Sequence, residues 1–266
     1  MKRIWILAGL AAALLGGCAT SPTGRSQLML VSDAQMNQMG LAAFSQLKQQ
    51  GKFADAPRER AYAACVADAL IRVLPAPYDR QEWDVQIVKD GSANAFALPG
   101  GRIGVNEGMF KVATDQDQLA AVLGHELSHV VARHSAERFS DRMAAQAGIA
   151  ALTVYGASRG NDAGRTMALL GVGAEVGLLL PWSRAQESEA DVLGQRYMAA
   201  AGFDPRKAVT LWQNMQKNAG SGGVPAFLST HPAPGNRIRT LSEQAPKLMP
   251  VYERARAAGN APRCSP

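Results

Sequence analysis

Residues 125 to 129 read HELSH, inside the longer run QLAAVLGHELSHVVARHSAERF. Apolar residues recur there at helical spacing, and Thr114 with Asp117 offers a capping box ahead of them, so the run predicts one strong helix. His125 and His129 are four residues apart, about 400° of rotation, and stand on one face one turn from each other. Two imidazoles so placed can reach a single Zn²⁺, whose nitrogen ligands lie at about 2.0–2.1 Å. Glu126 is turned away by about 100°. It therefore stands beside the metal and not on it, where a base for a metal-activated water belongs. With 4 histidines in the whole chain, a chance match to this pattern is rare.

A catalytic zinc has three protein ligands and one open position. His134, five residues past His129, is about 140° off its face, a structural or surface histidine and a poor ligand. His231 and the carboxylates of SRAQESEADVLGQRY, residues 183 to 197, remain. Glu187 and Asp191 are four apart and share a helical face, whereas Glu189 points about 200° away from either. Two acids on one face suit a site where one ligates and the other accepts an imidazole N–H. The alternative is a solvated acidic face beside Arg184 and Arg196, and Glu189 is read as a surface residue.

The N-terminus bears on location. MKRIWILAGLAAALLGGCAT has a basic start, about a dozen apolar residues and small residues before Cys18, the pattern of a secretory signal too short for a stable membrane span. LLGGC resembles a bacterial lipobox, which implies cleavage before Cys18, lipidation of its thiol and a protein held on a membrane without crossing it. Ala19 after the cysteine resembles the sorting of lipoproteins to the outer membrane, so the expected location is the bacterial cell envelope, facing the periplasm. Cys65 and Cys264 form an even pair in an oxidising compartment and read as one disulfide tying the C-terminal tail to an early helix. A formal net charge of +6 without basic runs or interleaved aromatics argues against a nucleic-acid partner.

The 266 residues, 47% hydrophobic, fit one domain or two small ones. Ser32 with Gln35 opens a helix that Gly51 ends, and residues 57 to 74 carry a second, stopped by Pro75 and Pro77. WDVQIVKD alternates as a strand, and NAFALPGGRIGVN reads as two short strands about a Gly100–Gly101 turn. Residues 141 to 180 are rich in Ala, Gly and Leu. MALLGVGAEVGLLL within them is too short, and Glu175 too central, for a comfortable membrane span, so the segment is read as helices over the active-site helix. A helix from about Ser183 to Ala201 ends at Gly202, and Asp204 with Pro205 starts the next.

HELSHVVARH, SRAQESEAD, NAFALPGGRIGV and STHPAPGNRI together resemble the HtpX-like zinc metallopeptidases, the family that includes the CAAX prenyl protease. The exported, lipid-anchored form resembles the LoiP-like bacterial lipoproteins, and the likeness runs from about residue 22 to 264. It implies an α+β, mainly α, zincin-like metalloprotease domain over residues 32–266, after a signal peptide at 1–17 and a tether at 18–31. It implies one Zn²⁺ per chain, held by His125, His129 and Glu187, the first acid of an E-x-x-x-D motif, with Asp191 supporting the ligands. NAFALPGGRIGV becomes an edge strand beside the metal, where Asn94, Ala95, Phe96 and Ala97 bind an extended peptide as an added strand; a plain structural hairpin is the alternative. His231, in an STHP element, stabilises the oxyanion or ligates zinc in a resting state, unless it is a loop histidine capping the next helix.

The expected protein is a membrane-anchored zinc metalloendopeptidase with Glu126, Asp191 and His231 as catalytic residues. Its partners are unfolded or misassembled envelope polypeptides as substrates, the membrane through its lipid, and outer-membrane assembly proteins. The rival is a periplasmic chaperone or assembly factor with a structural or latent zinc. A complete H-E-x-x-H is awkward for that rival, because a structural site has no task for Glu126.

Overall fold

The computed structural model describes residues 18–158, 182–218, 226–232 and 235–265. In chain order the elements are β1 (Cys18–Thr20), β2 (Ser26–Leu28), α1 (Asp33–Gln49), α2 (Pro57–Ile71), β3 (Asp84–Val88), β4 (Ala95–Leu98) and β5 (Arg102–Asn106). The helices α3 (Gln116–Val131), α4 (His134–Ser158), α5 (Arg184–Ala201), α6 (Lys207–Asn218), α7 (Ala226–Thr230) and α8 (Arg237–Ala257) follow. Two compact units share them: Met1–Gln35 with Arg133–Leu180, and Met36–Ala132 with Pro181–Pro266.

In the first unit the stretch expected as a tether carries a hairpin, β1 antiparallel to β2 with Cys18 opposite Leu28. The Ser21 hydroxyl accepts the Arg25 N–H at 3.0 Å, which closes the turn. Arg25 reaches both carboxylate oxygens of Glu137 on α4, and the Gln27 side chain donates to the same carboxylate at 3.0 Å. Cys18 is exposed and takes no part in a disulfide. The signal peptide expected over residues 1–17 lies outside the described residues, as does the part of the 141–180 segment beyond Ser158. No helix among the described residues is long and apolar enough to cross a membrane.

The single helix expected through HELSH and beyond is two helices. Arg133 adopts a left-handed backbone (φ 57°) between α3 and α4, and such a residue interrupts the right-handed hydrogen-bond ladder. The cap ahead of α3 is also one residue later than expected. Asp115, not Thr114, accepts the Gln118 N–H at 2.8 Å, while Thr114 Oγ1 accepts from the Gln118 side chain.

The second unit holds a three-stranded sheet in the order β3–β5–β4, with β3 parallel and β4 antiparallel to β5. Gly100 and Gly101, at φ 86° and 77°, turn the chain between β4 and β5. The strands cover one side of α3, whose apolar residues Leu119, Val122, Leu123 and Leu127 meet Leu70, Ile87 and Ile103 in the core. Cys65 on α2 and Cys264 are joined by a disulfide across 199 residues. Gln116, at the start of α3, holds the same tail by bonds to Pro262 and Cys264.

Helix α5 opens with a capping box between Ser183 and Gln186 and closes at Gly202 (φ 84°). It packs on α3 more extensively than any other helix does. The crossing is glycine on glycine: a Cβ on Gly194 would lie 2.8 Å from the backbone nitrogen of His125 and 2.9 Å from the Gly124 carbonyl carbon. Only two residues without side chains let the backbones come this close, and the approach sets Glu187 and Asp191 over the HELSH face. Helix α6 begins at Lys207, two residues later than Asp204–Pro205 suggested, because the Asp204 carboxylate accepts the Arg206 N–H and forms a turn first.

Candidate metal centre

Helix α3 carries His125 and His129 inward, α5 carries Glu187 and Asp191, and the chain after α7 carries His231; all are buried. One ligand atom from each of His125, His129, Glu187 and His231 lies within 4.8 Å of the others. His129 Nε2 is 3.1 Å from His125 Nε2 and 3.3 Å from Glu187 Oε1. His231 Nδ1 is 3.0 Å from Glu187 Oε1 and 3.3 Å from His125 Nε2.

Asp191 does not join this cluster. Its Oδ1 lies 2.9 Å from His125 Nδ1, and an ionised carboxylate only accepts, so Nδ1 carries the hydrogen. That orientation turns the His125 Nε2 toward the cluster centre, as a second carboxylate behind a metal-binding histidine does. His134, at the start of α4, is buried and outside the ligand cluster. Glu189 is buried rather than at the surface, since α5 is covered on more than its metal-facing side. It is not one of the four clustered residues.

Glu126 is buried beside the cluster. The Ala97 backbone N–H lies near enough to its carboxylate to favour the charged form, while Oε1 has no hydrogen-bond partner among the described residues and lies 3.7 Å from His231 Nε2. The strand geometry explains the Ala97 contact. The Asn106 N–H donates to the Asn94 carbonyl at 2.9 Å, and directly opposed residues of an antiparallel pair alternate between bonded and non-bonded. Ala95 and Ala97 therefore turn their backbone groups away from β5 to the outer edge of β4, where no described strand pairs with it. At that edge the Ala95 N–H meets the Asn94 side-chain oxygen at 3.0 Å. Phe96 faces neither the edge nor the cluster: its ring lies over Gly104, where a Cβ would come within 2.2 Å of it.

The electrostatics favour a cation. Burial alone would lower the His125 pKa, but the charge of Glu187 and hydrogen bonds to Asp191 and Glu187 outweigh it and raise it to about 10. Burial opposes ionisation of Glu187 too, yet the surrounding histidines hold its carboxyl well below the usual range. Burial pushes Glu126 up and His129 well down. The negative potential that draws a proton to His125 would draw a divalent cation in its place. Imidazole nitrogen with carboxylate oxygen is a donor set that zinc accepts.

Several residues of the site have no counterpart in the sequence reading. Arg237 binds Asp191 Oδ2 through Nε at 2.5 Å and Glu187 Oε2 through a terminal nitrogen, and its guanidinium lies 3.9 Å over the Trp212 ring. Trp182 stacks on His129 with centroids 4.4 Å apart, and Phe227 stacks on His231 at 4.3 Å. Arg237 falls inside the STHPAPGNRI motif, but the sequence reading gave it no role. Gly124 and Gly194, by contrast, do leave a signal, as isolated glycines within strongly helical patterns.

Fold and site define the class: a mainly helical α+β, zincin-like metallopeptidase domain built on an H-E-x-x-H helix. Residues 57–245 match peptidase family M48, and the chain belongs to that family. It is 40% identical to the mitochondrial metalloendopeptidase OMA1 of Schizosaccharomyces pombe over 167 residues, 62% of this chain and 48% of that protein. To the mitochondrial metalloendopeptidase OMA1 of Saccharomyces cerevisiae it is 30% identical over 271 residues, 92% of this chain and 76% of that protein. To the β-barrel assembly-enhancing protease of Escherichia coli it is 29% identical over 173 residues, 62% of this chain and 35% of that protein. The chain thus spans about half the length of the S. pombe relative.

These relatives correct the expected location. The proteins matched at 40% and 30% identity are mitochondrial, which overturns the reading as a lipid-anchored protein of the bacterial outer membrane. A short basic and apolar N-terminus is shared by several kinds of targeting segment and does not fix a compartment.

Proposed function

We propose that the chain is a zinc metalloendopeptidase that cleaves extended, unfolded polypeptide. The observation that carries this reading is the meeting of three elements: the ligand cluster, the partnerless Oε1 of Glu126 and the outer edge of β4. His125, His129 and Glu187 would hold the metal, which when bound supplies Lewis acidity to polarise the scissile carbonyl and acidify a water. Asp191 holds His125 by its Nδ1–H, and Arg237 holds both Asp191 and Glu187, so the ligand atoms are oriented before metal arrives.

Glu126 acts through Oε1. It takes the proton of the attacking water and passes it to the leaving amine nitrogen. Burial raises its pKa, which makes the carboxylate a stronger base toward the water, and the leaving amine is basic enough to take the proton back from the carboxyl. His231, beside Glu126, is placed to donate to the carbonyl oxygen as charge develops there. The substrate lies along β4, its main chain pairing with the outward groups of Ala95 and Ala97 and displacing the Asn94 side chain from the Ala95 N–H. Asn94 thus guards the edge, and Phe96 supports it from the sheet face. Main-chain pairing selects for extended conformation more than for sequence, which supports unfolded chains as substrates; their restriction to envelope proteins rested on the location and falls with it. The order of the four sequence motifs supports a narrower, HtpX-like place within the family.

Metal analysis and casein cleavage, compared for wild type, Glu126→Gln and Glu187→Ala, test this. Glu126→Gln should keep its metal and lose cleavage, and Glu187→Ala should lose metal. Casein cleavage surviving in Glu126→Gln would refute the mechanism. A chaperone with a structural metal is the weaker reading, since it leaves the partnerless Glu126 oxygen without a task.

A further inference from the structure

Arg237 has a donor to spare. The Nε and NH2 edge of its guanidinium is taken by Asp191 and Glu187, whereas NH1, on the other edge, is buried and has no hydrogen-bond partner among the described residues. Arginine does not deprotonate in proteins, so NH1 remains a charged donor that burial has stripped of water. Arg237 is 3% exposed. It lines a cavity of about 210 Å³ together with Trp212, Gln216, Leu228, Gly235, Ile238 and Arg239.

The same residue is the first of the 21-residue helix α8, whose N-cap Asn236 makes no side-chain cap bond. First-turn amides of a helix lack intrahelical acceptors and carry the positive end of its dipole. Arg239, exposed at the cavity, adds a second cation held only loosely by Glu243 at 3.9 Å. The opposing charges, Glu187 and Asp191, lie on the occupied edge of the guanidinium and are engaged there by His125, His129 and His231 as well. None of the cavity residues is a metal ligand or part of the β4 edge.

We propose that this cavity is an anion subsite that takes a small oxyanion, a carboxylate or a phosphate. Arg237 NH1, the α8 amides and Arg239 are its donors, and Trp212 and Leu228 are its apolar wall. Its volume is below the roughly 300–1,000 Å³ of sites for drug-sized ligands, which restricts the occupant to a free ion or the charged end of a longer chain. The subsite stands whether or not the metal centre cleaves peptides.

Calorimetric titration of the full chain with inorganic phosphate and with acetate tests the proposal. Saturable one-to-one binding of either ion is expected, weakened about tenfold or more by Arg239→Glu or by Leu228→Trp, which fills the cavity. Arg239 is exposed, so its variant folds even if the filled one does not. A short unstructured peptide, with a free and then an amidated C-terminus, separates the two sources. Binding that amidation abolishes assigns the subsite to a polypeptide carboxylate, and phosphate binding without that discrimination assigns it to free phosphate. Absence of saturable binding by both ions, or binding unchanged in both variants, overturns the proposal.

Discussion

Two arginine–carboxylate contacts, one in each unit, use the same chemistry to different ends. In the first unit Arg25 meets both oxygens of the single carboxylate of Glu137, and Gln27 adds a neutral donor. One guanidinium spans one carboxylate, which makes a clasp between the hairpin and α4. In the second unit Arg237 is stretched between two carboxylates, with the buried Glu126 close by. Two acids share one arginine, and the three histidines beside them present ring nitrogens to a common centre. A matched pair is finished by folding. An unmatched one still calls for a cation, and that difference separates a structural contact from a site.

The comparison is most open to attack at the unmatched cluster. Glu126→Gln should lower kcat/KM on an unfolded substrate by about 10²–10⁴-fold, the usual worth of a general base, with metal content unchanged. Arg237→Ala leaves Glu187 and Asp191 buried without their cation; a loss of about 3–5 kcal/mol in chemical denaturation is expected, together with weaker metal retention. Arg25→Ala should cost less, because the Arg25 side chain is 26% exposed and water can replace part of the contact. It should also leave metal content alone. If Arg25→Ala stripped the metal while Arg237→Ala did not, the distinction drawn between the two contacts would be wrong.

Smaller effects sharpen the same picture. Gly194→Ala puts a methyl against the His125 backbone, and an overpacking cost of about 1–3 kcal/mol should appear as a lower melting temperature with reduced activity. Asp115→Ala removes the α3 cap at a cost of about 1 kcal/mol. Burial alone would raise the Asp115 pKa, but hydrogen bonds from Gln118 and Lys207 lower it below its ordinary value. Its contribution is therefore present above the ordinary carboxylate pKa and is lost as pH falls through the lowered one. Denaturation measured against pH should show an acid-side loss in wild type that is smaller in Asp115→Ala.

Much of this was open to a reading of the residues one after another. The shared face of His125 and His129, the pairing of Glu187 with Asp191 and the exclusion of Glu189 from it are consequences of about 3.6 residues per turn. The capping box at Ser183, the stop at Gly202 and the Gly100–Gly101 turn are local chemistry as well. The helix break at Arg133 escaped because no glycine or proline marks it, and a left-handed arginine leaves no trace in a pattern of apolar positions.

By itself, then, the sequence determined most helix starts and stops and the shared faces of His125 with His129 and of Glu187 with Asp191. Only the tertiary structure decided that α3 and α5 cross at Gly124 and Gly194, that Glu189 is buried, that Arg237 clamps two carboxylates, and that Ala97 rather than Phe96 addresses Glu126. Rotation along a helix or strand is a local property with a fixed period. Which faces meet, and which polar atoms are left unmatched when they do, depends on contacts between residues far apart in the chain, and no local pattern encodes them.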